Sequence, residues 1–170
     1  MAQLIRFVFL FFLVLFLQVF VSRHVNIGFG AQLFFLPIFI MMLPFQINIF
    51  IMMILGFVLG ISTDMMTNTF GLHASSLVLI AYLRPLVFNT FPPKEGYDAI
   101  KQPIVSDMGW TWFLLCYGLL LFSYVFWFIF FEVFKWSEVM LILRNLFSGF
   151  LLSLVVALVF QLFFRNRALK

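Results

Sequence analysis

Apolar runs separated by short polar breaks organise this chain. A membrane-spanning helix needs about 20 apolar residues, with about 17–25 the usual range. The first run covers about 4–21 (LIRFVFLFFLVLFLQVFV). It is too long for the apolar part of a signal peptide, and no small-x-small cleavage site follows it. It therefore reads as a retained first helix. The second run, about 31–45, carries Pro37, which should kink it, and Pro44, which with Gln46 and Asn48 marks a tight turn. The third covers about 48–63 and stops before Asp64. The fourth covers about 72–91 with Pro85 inside it. A polar stretch over about 92–109 holds Pro92, Pro93 and Pro103 with five charges, Lys94, Glu95, Asp98, Lys101 and Asp107, and is excluded from the bilayer. The fifth and sixth runs cover about 110–133 and 140–164. The expectation is an all-α membrane protein, one compact bundle of six transmembrane helices. The count is five if the second and third runs form one re-entrant unit.

The basic residues predict the orientation. With an even number of passes, Arg6, Arg84, Lys94, Lys101, Arg165, Arg167 and Lys170 fall on one side, seven in all, against Arg23, Lys135 and Arg144 on the other. The more basic side is cytoplasmic by the positive-inside rule, which places both termini there. Trp110 and Trp112 would then mark the inner interface and Trp136 the outer one. Composition agrees. The chain is 65% hydrophobic and 9% charged, with a mean hydropathy of +1.19, against about 25% charged residues for a soluble domain. Phe, at 28 copies, reads as lipid-facing filler. The net charge of +4 gathers at the ends of the runs, a topology signal rather than a nucleic-acid patch. Cys116 is the single cysteine, so neither an internal disulfide nor a cysteine metal site is available.

Charges within membrane helices cost roughly 2.5–3.5 kcal/mol on insertion scales, so each calls for an account. Gly56, Gly60 and Asp64 recur at four-residue spacing and share one helix face. The next helix brings Gly71, Ala74, Ser75, Ser76 and Ala81, and small residues on facing helices allow close backbone approach. Two readings stand. In one, Asp64 closes the outer end of a tight helix pair by accepting bonds from Thr67, Asn68 or free backbone amides. In the other, Asp64 and His73 form a ligand or proton site. Arg84, just before Pro85, is expected to snorkel to the inner headgroups or to anchor a cytoplasmic partner. Glu132 and Arg144 flank the last outer hairpin and are expected to pair. His24 is expected to be solvated. The sequence contains no His-Glu-x-x-His, Gly-x-Ser-x-Gly or phosphate-binding loop, and an enzyme is the least supported class. Few polar residues lie near the midplane to line a transport path.

Leu43-Pro44, Asn48 and the run GFVLGISTDMMTNTFGLHASSLVLIAYLRPLVF resemble MreD, the rod shape-determining membrane protein family of bacteria. Gly56, Gly60, Asp64, Gly71 and Ala81-Tyr82-Leu83 carry the likeness, which covers roughly residues 43 to 88. The segment EGYDAIKQPIVSDMGWTWF is similar to a Pro-rich cytoplasmic loop in one branch of that family. The resemblance implies a multi-pass protein of the bacterial cytoplasmic (inner) membrane, without cofactor or catalytic role. It implies a scaffold of the peptidoglycan elongation machinery. Its partners would be an MreC-like bitopic protein and, through it, a RodA glycosyltransferase, a class B transpeptidase and, indirectly, MreB filaments. It also implies a fold similar to the S-components of energy-coupling-factor transporters, which supplies the alternative of a small-molecule-binding transporter subunit. On the scaffold reading, Asp64 fixes the third and fourth helices and so shapes an outward surface for the partner.

Overall fold

The computed structural model describes residues 2–24, 32–93, 97, 102–134 and 138–164. Lys94, Lys101, Lys135, Arg165, Arg167, Lys170 and Trp136, used above as topology markers, lie outside the described residues. The described chain forms α1 (Ala2–His24), α2 (Leu36–Met42), α3 (Ile49–Thr67), α4 (Leu72–Thr90), α5 (Val105–Met108), α6 (Trp110–Val133) and α7 (Val139–Phe164). Five of these, α1, α3, α4, α6 and α7, are long and apolar enough to cross a membrane. Among the described residues the only regular elements are helices, and the five long apolar ones make this a multi-pass membrane protein.

Local chemistry sets the helix ends. Asn48 caps α3 by accepting the Phe50 amide at 2.8 Å. Asn68 ends it in the left-handed region at φ 58°, which asparagine tolerates better than most residues, and its amide donates to the Asp64 carbonyl. Gly71, at φ 85°, turns the chain into α4. Pro85 sits within α4, which continues to Thr90.

α4 and α6 form the centre of the bundle, with α3 packed on α4 and α7 on α6. Tyr117, Tyr124, Phe113 and Phe128 on α6 are fully buried, and Phe34 meets Tyr124 and Phe128 edge-on at centroid distances of 5.4 and 5.1 Å. Most of α1 and α7 instead faces outward, with Phe9, Phe12, Phe16, Phe147, Leu151 and Val155 exposed. In a bilayer such faces meet acyl chains, where Phe and Leu are at home.

The second predicted run departs most from expectation. In place of a kinked helix over 31–45, the structure has extended chain at 32–35, the seven-residue α2, and a non-helical exit through Leu43 and Pro44. Pro37 lies in the first turn of α2, where its missing N–H is no loss, and so starts a helix instead of bending one. α1 and α3 point the same way, because Arg23 near the end of α1 donates to the Met66 carbonyl near the end of α3. The chain between them must therefore return the full height of the bundle. Extended chain at about 3.3 Å per residue plus a short helix at about 1.5 Å per residue gives 32–48 a reach of about 30–40 Å, which suffices. The middle of this return segment is buried, with Phe34, Leu36, Ile38, Phe39, Ile40, Met41 and Leu43 in the core, while Gln46 and Asn48 at its exit are exposed.

The start of α1 and the end of α7 share one end of the bundle. Arg6 donates to Gln102 at 2.8 Å, and the Val105 amide points to Gln161 at 3.5 Å.

Candidate functional site

The polar residues singled out in the sequence fall into two clusters, one at each end of α4. At its N-terminal end, Asp64 in the last turn of α3 is buried and reaches across to α4. Its Oδ1 accepts the Thr69 hydroxyl and, at 3.1 Å, the His73 amide; its Oδ2 accepts the Ala74 amide at 2.9 Å. The first amides of a helix have no intrahelical acceptor, and a carboxylate there also meets the positive end of the helix dipole. Asp64 therefore caps a neighbouring helix. Thr67 and Asn68, expected as its donors, do not reach the carboxylate. Because α3 continues through Thr67, the Thr67 hydroxyl bonds back to the Thr63 carbonyl at 2.9 Å, and the Asn68 amide goes to the Asp64 main chain.

The glycine face supplies the approach that this cap requires. A Cβ on Gly60 would lie 2.6 Å from the Ala74 nitrogen and 2.9 Å from the His73 carbonyl carbon, with the Ala74 Cα closer still. A Cβ on Gly56 would sit 3.3 Å from the Leu77 carbonyl oxygen and 3.4 Å from Ile40, a tight but softer contact. Gly71 contributes by its positive φ, and a Cβ there would meet nothing within 4 Å.

His73 follows the cap but turns its ring the other way. Its Nδ1 lies 2.6 Å from the Tyr124 hydroxyl on α6, and its ring packs on Phe128 at 4.6 Å. Asp64 and His73 are thus linked through the His73 main chain, while the imidazole ties α4 to α6. Both residues are engaged and buried, at 4% and 2% exposure, which leaves no free acid–base pair facing solvent.

At the other end of α4, Arg84 does not snorkel. It is 2% exposed and donates to the carbonyls of Leu43, Met41 (3.3 Å) and Pro44 (3.4 Å), with Met52 Sδ at 3.4 Å and the Phe88 ring 4.6 Å from its guanidinium carbon. The physical reason lies in the return segment. The end of α2 and its non-helical exit present carbonyls with no helical donor, and a guanidinium satisfies several at once. Pro85 lines a cavity beside it.

The expected Glu132–Arg144 pair is absent among the described residues. Gln32 instead donates to both carboxylate oxygens of Glu132, at 2.8 and 3.0 Å, while Arg144 is exposed. The return segment intervenes: the Gln32 carbonyl lies 3.2 Å from where a Gly149 Cβ would stand, so this non-helical chain lies close to α7 beside α6. His24, read as merely solvated, is exposed, but it stacks on Phe20 at 4.7 Å with Nδ1 near the Phe20 carbonyl.

Several residues that hold the site together were not anticipated. Gln18 on α1 accepts the Phe35 amide at 2.8 Å and donates to the Leu33 carbonyl at 3.0 Å. Ser153 on α7 accepts the Phe34 amide at 2.9 Å. Non-helical backbone at membrane depth is tolerated only where protein groups satisfy it, and these two side chains do so. Their signal was present: each is a lone polar residue in a long apolar run, LFLQVFV and LLSLVVA. Among the described residues, no group of three or more His, Cys, Asp or Glu side chains is placed to hold a metal ion. Cys116 is buried. Compared with protein-family models, curated protein sequences and solved structures, the chain matches none.

Proposed function

We propose that this chain is a non-enzymatic scaffold of the bacterial cell-elongation machinery, similar to MreD, in the cytoplasmic membrane with both termini in the cytoplasm. Its direct partner would be an MreC-like bitopic protein. Through that partner it would support a RodA glycosyltransferase and a class B transpeptidase and connect indirectly with MreB filaments. The observation that carries this reading is how the buried polar groups are used. Asp64, His73, Arg84, Gln18 and Ser153 all join one segment of the bundle to another. A catalyst needs acid–base groups left open for substrate; a scaffold needs its buried polar groups to fix its outer surface. The parallel α1 and α3 with a return segment between them fit six passes, and six passes fit the S-component-like bundle that the resemblance implies. Seven basic residues against three favour cytoplasmic termini.

The test is affinity purification from mildly solubilised native membranes, followed by mass spectrometry of the proteins recovered. An MreC-like protein with a RodA glycosyltransferase and a transpeptidase is the expected result. Asp64→Ala should lower that recovery while the bundle stays inserted, because the Thr69 hydroxyl and the His73 and Ala74 amides lose their acceptor at about 1–3 kcal/mol per unmet group. Wild-type recovery from the Asp64→Ala protein would refute the role given to the cap. An ATPase pair with a coupling protein, or a bound vitamin, would replace the scaffold by the transporter-subunit reading.

A further inference from the structure

Among the described residues, a cation and no anion line the cavity at the C-terminal end of α4. It has a volume of about 240 Å³, and Arg84, Met52, Phe88, Tyr97, Gln46 and Asn89 are among the residues that line it. Gln46 and Asn89 are exposed, so the cavity reaches the surface of the bundle. Among the described residues no acidic side chain lines it and no carboxylate pairs with Arg84. The guanidinium is balanced only by neutral carbonyls and the face of Phe88, and its Nε is buried without any partner. A buried charge compensated by dipoles alone leaves a positive field at the cavity. At about 30 Å³ of liquid volume per water, the space holds about eight waters, more than a phosphate group needs. Its level is also informative. Trp112 donates to the Phe91 carbonyl beside the cavity, and Trp110 is exposed nearby in sequence. Tryptophans of this kind sit at the headgroup layer of a bilayer.

We infer that this cavity binds the phosphate group of an anionic phospholipid, with Arg84 as the cation and Gln46 and Asn89 as amide donors at the mouth. A soluble phosphate carries the same chemistry, but the cavity opens at headgroup depth. A zwitterionic lipid would bring an ammonium group to an already positive cavity, so the site discriminates by headgroup charge. The inference stands whether or not the chain binds an MreC-like partner.

The experiment uses the full-length chain in a mild detergent, titrated separately with phosphatidylglycerol, phosphatidylcholine and inorganic phosphate, with bound species counted by native mass spectrometry. Phosphatidylglycerol should be retained about tenfold or more over phosphatidylcholine. Arg84→Met should abolish the preference, but it also releases the carbonyls of Met41 and Leu43 and can unfold the bundle. The deciding variant is therefore Gln46→Glu with Asn89→Asp, which leaves those bonds in place, sets anions at the mouth of the cavity and should cut the preference to about threefold or less. Equal retention of the two lipids by the wild-type chain, or an unchanged preference in the double variant, would overturn the site. If inorganic phosphate at equal concentration displaces the lipid, the anion site stands and its assignment to a lipid is overturned.

Discussion

At the scale of single residues, Gly60 and Gly56 share a helix face and a spacing, yet they differ in what they tolerate. A methyl group at Gly60 would overlap the backbone of α4 at Ala74 and His73, and backbone cannot rotate aside as a side chain can. At Gly56 the nearest atoms are a carbonyl oxygen at 3.3 Å and the flexible end of Ile40 at 3.4 Å. Gly60→Ala should therefore cost about 1–3 kcal/mol, the usual range for overpacking a well-filled site. Gly56→Ala should cost under about 1 kcal/mol, because the added methyl needs a shift of only a few tenths of an ångström. Thermal unfolding in detergent, followed by size-exclusion chromatography, distinguishes them. Equal losses in the two variants would mean that the glycine face does not set the α3–α4 distance. Asp64 needs this distance, since its two oxygens reach amides on another helix only when the backbones are nearly in contact.

The element that organises the rest is the return segment. Its helix, α2, has only seven residues, so most of its backbone groups must find partners outside it. Gln18 satisfies one amide and one carbonyl at its entry, Ser153 satisfies another amide, and Arg84 gathers the carbonyls at its exit. Gln18→Leu leaves both a donor and an acceptor unmet, and Ser153→Ala leaves one donor. At about 1–3 kcal/mol per buried unmet group, Gln18→Leu should be roughly twice as destabilising. The same unfolding assay reads this order, and a reversed order would place the main support of the segment on α7. The α3–α4 pair was legible in the sequence because glycine spacing and a lone aspartate report directly on backbone approach and capping. The return segment was not. Hydropathy along 31–45 reports burial, and a buried extended chain is as apolar as a buried helix. Arg84 was misjudged for the same reason: snorkelling is the default when only lipid surrounds an arginine, and the carbonyls that hold it belong to the element that could not be foreseen. Glu132 likewise found Gln32 from that segment in place of Arg144.

For the whole molecule, the tie between the return segment and α7 bears on the order in which the protein is made. Residues 32–48 emerge from the ribosome long before Ser153 and Gly149 do, yet Ser153 supplies the acceptor for Phe34 and Gly149 the space beside Gln32. Until then, part of the segment's backbone lacks partners, and hydrocarbon does not accept it in that state. The segment is therefore expected to seat only once α7 arrives, so that this protein would complete its topology after synthesis instead of during it. A chain ending at residue 134, carrying Cys116→Ser and a single cysteine in place of Ile38, should stay open to a water-soluble maleimide that the full-length chain excludes at that position, where Ile38 is 2% exposed. Equal protection in both chains would mean that α1, α3, α4 and α6 receive the segment without help. In the first case, late release of α7 from the insertion machinery is the step that commits the bundle to its final form, and lesions near the C-terminus would act by stranding a segment more than a hundred residues upstream.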